Sequence, residues 1–187
     1  MMRFAAGDDR AFDEIVRNFQ RQVYGVIHRY LGATPNVDDV SQEVFVRLYK
    51  MRKSYKPTAK LSTLVYRITA NLCANVIRDE GRRRGVPLDA AYGEDDSPLS
   101  ATIPDDAASP PDQSLETRER AQIVRSALAR IPDRQRMALV LHRFEGLSYI
   151  EIAEALGTNV DAVKSLLSRA RQSLADELQK DIDAGNL

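Results

Sequence analysis

SYIEIAEALGTNVDAVKSLLSRAR, residues 148–171, is the stretch whose reading decides the fold. Ser148, followed three positions later by Glu151, has the form of a capping box, in which hydroxyl and carboxylate each satisfy a free backbone N–H at a helix start. The pattern predicts a helix opening there. Ile152, Ala153 and Leu156 face inward on it, and Gly157 supplies the positive φ of a sharp turn behind it. Asn159 caps a second helix. In that helix Val163, Leu167, Ala170 and Leu174 fall at i, i+4, i+7 and i+11, one apolar stripe. The opposite face carries Lys164, Ser165, Ser168, Arg169 and Arg171.

Two short helices joined by a glycine turn, with small Ala153 at the crossing and Val163 in the second helix, make a helix-turn-helix whose second helix fits the major groove. Lysine and arginine reach guanine edges or phosphates, and serine reaches either. An ordinary helical hairpin with a solvated basic face has the same pattern. DNA binding is the reading that the motif's spacing favours.

At 187 residues the chain suits one medium domain or two small ones. Apolar residues make up 43% and charged residues 29%, and no apolar run approaches a membrane span or a signal-peptide core, so a cytoplasmic protein is expected. The single Cys73 excludes an internal disulfide; with only His28 and His142 beside it, no metal site and no cofactor is expected. No enzyme is expected either: there is no glycine-rich phosphate loop, the carboxylate pairs lie on solvated faces, and Cys73 sits among apolar helix positions as an inert core thiol.

The net charge of zero hides an uneven distribution. Residues 85–117 hold no Lys or Arg but eight acids, which leaves 19 acids against 27 basic residues in the rest of the chain. Two basic pieces joined by an acidic strap suit a polyanionic partner. Pro87, Pro98, Pro104, Pro110 and Pro111 interrupt the strap, and all periodicity is lost there. Such composition buries too little apolar surface to order itself, so residues 85–115 are predicted as a flexible acidic linker, about 110 Å long if fully extended.

Ahead of the linker, residues 9–31 place Phe12, Ile15, Val16, Phe19, Val23, Ile27 and Tyr30 at helical spacing. The helix thus begins within ten residues of the first Met, so no N-terminal extension is expected. Gly32 ends it, and Pro35 with Asn36 marks a turn and a cap. Residues 37–51 form a second helix with Val37, Val40, Val44, Leu48 and Met51 inward and Asp38, Asp39, Gln42, Glu43 and Arg47 outward. Its acidic start complements the helix dipole. After a loop over residues 55–60, a third helix at residues 61–82 buries Leu61, Val65, Ile68, Leu72 and Val76. Its other side aligns Arg67, Asn71, Asn75 and Arg78, beside an exposed Tyr66 and ending in Arg82, Arg83 and Arg84. A solvated face would look the same. The aromatic ring and amides favour single-stranded nucleic acid, where a ring stacks on a base and an amide reads its edge.

Beyond the linker, residues 115–130 carry Ile123, Val124, Ala127 and Leu128 at helical spacing, Pro132 opens the next helix with Met137, Leu141 and Phe144 inward, and Gly146 closes it. The tail is expected to fray after Leu178. The architecture predicted is all-α: an N-terminal domain of three to four helices over residues 1–84 and a C-terminal helix-turn-helix domain over residues 116–180.

Both halves resemble extracytoplasmic-function sigma factors of bacterial RNA polymerase. The likeness is carried by IPDRQRMALVLHRFEGLSYIEIAEALGTNVDAVKSLLSRARQSL in the C-terminal half, and by AFDEIVRNFQRQVYGVIHRY, DDVSQEVFVRLYK and LSTLVYRITANLCANVIRDEGRRR in the N-terminal half. The resemblance implies that Asp38, Asp39, Gln42, Glu43 and Phe45 dock on the clamp of core RNA polymerase. It implies that Tyr66, Arg67, Asn71 and Asn75 melt and read the minus-ten element, and that Lys164, Ser165, Ser168 and Arg169 read the minus-thirty-five element. It further implies promoter DNA and core polymerase (clamp and flap of the large subunits) as partners, an anti-sigma protein as a possible one, and no membrane insertion. The chain departs from the family in two places: Leu64 followed by Val65 stands where a Trp is common, and Leu166 stands where an Arg often follows Lys-Ser. The rival reading is a conventional helix-turn-helix regulator acting without core polymerase; a second is an adaptor that only sequesters partners through the acidic turn at Asp38 and Asp39.

Overall fold

A computed structural model describes residues 1–32, 34, 36–83 and 115–184. Eight helices are found among them, and no strand: α1 (Met2–Ala5), α2 (Arg10–Leu31), α3 (Asn36–Lys50), α4 (Leu61–Arg83), α5 (Leu115–Arg130), α6 (Asp133–Glu145), α7 (Tyr149–Leu156) and α8 (Val160–Asp183), with one 3-10 turn at Met51–Ser54. The predicted linker lies outside the described residues except for Leu115, which opens α5, and Pro35 lies outside them too.

The N-terminal half is α2, α3 and α4 packed side by side. Their apolar stripes meet as the periodicity requires: Val23 and Ile27 of α2, Val37, Val40, Val44 and Leu48 of α3, and Val65, Ile68 and Leu72 of α4 are all buried in one core. Leu61, Val76 and Met51 pack at its margin, half-buried. Helix α1, too short to leave a periodic trace in the sequence, buries Phe4 against Phe12 and Tyr49, with ring centroids 4.9 and 5.2 Å away, and the Arg52 guanidinium sits 4.7 Å from the Phe4 ring. Cys73 is buried in the same core, and burial pushes its thiol up to about 12, as an inert thiol requires.

In the C-terminal half the local signals are realised in detail. The Ser148 N–H donates to Glu151 Oε2 at 3.0 Å and the Glu151 N–H donates to Ser148 Oγ at 3.3 Å, which closes the capping box at the start of α7. The Ala162 N–H donates to Asn159 Oδ1 at 2.8 Å, capping α8. Gly146 and Gly157 end α6 and α7 with φ of 66° and 62°, a left-handed conformation that costs any other L-residue about 1 kcal/mol or more. Ser148→Ala should lower stability by about 0.5–2 kcal/mol, measured as a shifted urea midpoint with unchanged slope, while Ser148→Asp should restore most of it.

Two expectations are corrected here. Phe144 is exposed rather than buried, its ring lying 4.6 Å from the Arg29 guanidinium. Helix α8 does not fray after Leu178 but continues to Asp183, because Arg130 of α5 binds it there: its Nε donates to Glu177 and its Nη2 to Asp181, both at 2.6 Å. Lys180 pairs with Glu177, and Gln179 with Asp183, along the same last turns.

The two halves meet. Helices α6 and α7 lie on α2 and α4, and Met137, Leu141, Ile152 and Ala153 belong to the same apolar cluster as Val23, Val65 and Leu72. Polar contacts frame this seam. The Tyr66 hydroxyl donates to Glu145 Oε2 at 2.9 Å, Arg29 Nη1 lies 3.8 Å from Glu145 Oε1, and Lys60 Nζ donates to Glu151 Oε1 at 2.8 Å. Arg136 is buried, its guanidinium 4.6 Å from the Tyr30 ring and its Nη1 donating to the Ala129 carbonyl at 3.3 Å.

Candidate functional site

Three surfaces carry the residues singled out from the sequence. On α3, Asp38, Asp39 and Gln42 are exposed, while Glu43 is half-exposed and accepts from Arg47 Nε at 2.9 Å. Phe45 is half-buried against the core, so it braces this helix more than it faces outward. Val46 and Tyr49 are exposed instead, and with Asp39 and Gln42 they line up at i, i+3, i+7 and i+10. An acidic helix start thus runs into an apolar strip, a surface with both charge and contact area to offer a partner helix. Sequence periodicity could have found Val46 and Tyr49, since both fall off the inward stripe.

On α4, Arg67 and Asn71 are exposed and Asn75 is half-exposed, its Oδ1 accepting from Arg78 Nη2 at 2.8 Å. The polar stripe therefore exists as a solvent-facing row. Tyr66 does not stand in it as expected. It is 5% exposed, and burial raises its hydroxyl pKa, with the Glu145 carboxylate adding to the effect. Leu64 and Val65, at the positions where the family often has Trp, are buried in the core and add nothing to this surface.

On α8, Lys164, Ser165, Ser168 and Arg169 are all exposed on one side, while Val163, Leu167 and Ala170 are buried on the other. Lys164 Nζ donates to Asp161 Oδ1 at 3.0 Å, an exposed pair of little energetic weight that leaves the ammonium available to another anion. Leu166 is half-buried against the core, which explains why a leucine is useful where an outward arginine is common. The helix-turn-helix is fully formed, and the outward face of its second helix is exposed.

Sequence reasoning missed the groups that join the halves: Arg29, Lys60, Glu145 and Glu151. Lys60 and Glu151 are 91 positions apart and no local pattern links them. Glu151 does two jobs at once. Lys60 and the Ser148 backbone and hydroxyl together hold its carboxyl down to about 2. A carboxyl depressed in the fold contributes stability above its ordinary pKa and loses it as pH falls from there toward about 2, so cap and cross-seam pair both persist through the neutral range.

The Sigma-70 region 2 family model matches residues 15–83, and the Sigma-70 region 4 model matches residues 121–174. RNA polymerase sigma-H factor of Pseudomonas aeruginosa is 32% identical over 181 residues, 95% of this chain and 91% of that protein. The chain belongs to the ECF family of RNA polymerase sigma factors. ECF RNA polymerase sigma-E factor of Escherichia coli K12 is also 32% identical, over 95% of this chain and 91% of its own. Among solved structures, CnrH in complex with the cytosolic domain of CnrY superposes with a TM-score of 0.70 at 22% identity, covering 96% of this chain and 95% of that one. The sigma factor RpoE of Bartonella quintana, in complex with the anti-sigma factor NepR, gives 0.68 at 21% identity over 92% and 99%. These two establish a shared helical fold. As a sigma factor the protein serves promoter-directed initiation by RNA polymerase, and the reading as a regulator that works without polymerase is not favoured when both regions sit in one chain. No helix among the described residues is long and apolar enough to cross a membrane.

Proposed function

We propose that this sigma factor divides its task between two modules. Residues 1–84 dock on the polymerase clamp through the exposed acidic start of α3, chiefly Asp38, Asp39 and Gln42 with Glu43, and capture the opened minus-ten strand along Arg67, Asn71 and Asn75, with Tyr66 stacking once it is uncovered. Residues 116–180 place Lys164, Ser165, Ser168 and Arg169 in the minus-thirty-five major groove, next to the flap. Residues 85–115 tether the two as a polyanion suited to a basic RNA channel. The protein works in the cytoplasm with no catalytic chemistry, metal or cofactor of its own, and an anti-sigma protein that holds the modules together is a fitting regulator.

The observation that carries this reading is that the polar row of α4 and the basic face of α8 are both solvent-facing in a chain that matches both sigma regions. Opening DNA costs about 1.4 kcal/mol per stacking step, so melting must be coupled to base capture and to polymerase contacts. The free protein should accordingly bind promoter duplex poorly. Run-off transcription on genomic fragments tests the assignment: product that needs both core enzyme and this chain supports it, and none with both present defeats it. Asn71→Ala should reduce discrimination at the minus-ten element by about 1–3 kcal/mol with core binding unchanged. Unchanged discrimination would remove Asn71 from the reading surface, and parallel loss of core binding would point to misfolding instead.

A further inference from the structure

Helix α2 has an outward face that none of the three surfaces above includes. Arg10, Arg17, Arg21 and Tyr24 follow one another there at i, i+7, i+11 and i+14, a row about 21 Å long that stays within about 40° of one line. It runs opposite the stripe of Ile15, Val23 and Val26 that the helix buries, and all four side chains are exposed. Arginines elsewhere in the chain find a carboxylate: Arg3, Arg29, Arg47, Arg52 and Arg130 each do. Arg10, Arg17 and Arg21 make no ion pair among the described residues. Glu14, on the same face, is taken by Arg3 at 3.0 Å, so the three cations stand against one acid, Asp13, at the edge of the row. Tyr24 closes the row. Its ring stacks on His28 with centroids 6.1 Å apart and planes 15° from parallel, which sets its orientation, yet 45% of the residue stays exposed. The exposed amides of Asn18 and Gln20 stand on either side.

We propose that this row is a second track for single-stranded DNA, in which Arg10, Arg17 and Arg21 bind backbone phosphates and Tyr24 stacks on a base, without sequence preference. Unpaired guanidinium groups supply the electrostatic attraction, and each phosphate they neutralise releases a counterion. The ring decides between strand and duplex: every unpaired base offers a π-face to an exposed aromatic, whereas a duplex keeps those faces stacked on one another. This rests on the sigma-factor reading and adds a second hold to it. Strand separation exposes more single strand than the α4 row can cover with Arg67, Asn71 and Asn75, and a hold that reads no sequence slows re-pairing at any promoter.

The test uses the full chain and a fluorescein-labelled oligothymidylate of about 20 nucleotides, titrated over a range of salt. Arg17→Gln with Arg21→Gln should reduce the salt slope by about 1.4, two contacts at about 0.7 each for a single strand. Arg134→Gln with Arg143→Gln removes the same charge from exposed positions on α6 and should leave the slope unchanged. Tyr24→Ala should weaken binding about 5- to 150-fold, while Tyr24→Phe, which keeps the ring, should bind as wild type does. Glutamine is a good helix former, and retained helicity by circular dichroism guards against unfolding. Equal slopes in both double variants would mean bulk charge alone and overturn the track. So would tighter binding of a duplex of the same length, or displacement of the oligonucleotide by polyglutamate at equal charge, which would make an acidic polypeptide the occupant. Either result with wild-type run-off transcription intact leaves the sigma-factor reading standing; absence of promoter-dependent transcript from wild type would remove the reading on which the track's use rests.

Discussion

Ile152→Ala is expected to cost about 2–5 kcal/mol of stability, a large share of the roughly 5–15 kcal/mol that holds a domain folded. Ile152 lies in the first turns of α7, is fully buried, and belongs to the cluster shared by both halves. Truncation removes transfer energy and leaves a cavity that neighbouring α4 and α8 cannot both move to fill. Ile150, two residues earlier, provides the control: it is 63% exposed, so Ile150→Ala should change stability by about 0.5 kcal/mol or less. Urea denaturation followed by circular dichroism reads both. Similar midpoints for the two variants would mean that α7 is rotated from its described position, and the helix-turn-helix geometry would go with it.

The second large effect is on binding. Arg169→Ala should weaken minus-thirty-five recognition by about 1–3 kcal/mol, roughly 5- to 150-fold, without altering the fold. Arg169 is exposed on α8 one position before buried Ala170, so removing its side chain opens no cavity. Holoenzyme binding to promoters selected from genomic fragments gives the number, and its salt dependence gives the mechanism. A relaxed preference at one base pair assigns a base contact; a salt slope reduced by about one with preference unchanged assigns a phosphate contact. No loss in either would mean that the outward row of α8 does not enter the groove.

What was legible in the sequence was what short-range physics controls. The capping box at Ser148, the Asn159 cap and the left-handed Gly146 and Gly157 are settled within a few residues of themselves, and all are where the pattern put them. Stripes such as Val163, Leu167 and Ala170 were legible too, since periodicity tells which side of a helix is buried. It does not tell what covers that side. Tyr66 borders a polar row and reads as exposed, yet it is buried, with its hydroxyl bonded to Glu145, 79 positions later in the chain. Phe144 falls in register with Met137 and Leu141 but sits at the end of α6, where Arg29 rather than the core receives it. No local pattern marks Arg136 and Gln135 for burial, yet both are buried: Arg136 donates to Asp133 of its own helix and to the Ala129 carbonyl of α5, and Gln135 accepts from Ser173 of α8. Continuation of α8 past Leu178 depends in the same way on Arg130, 47 positions from Glu177.

The solitary thiol gives the experimenter a stopwatch. Cys73 has no exposed surface, and Arg136 of the opposite half is close enough to bias its ionisation. A water-soluble disulfide reagent cannot reach it while the molecule is shut. With no second sulfhydryl to confuse the signal, the rate of colour release counts how often the protein breathes, and adding polymerase would reveal whether the enzyme hastens that breathing.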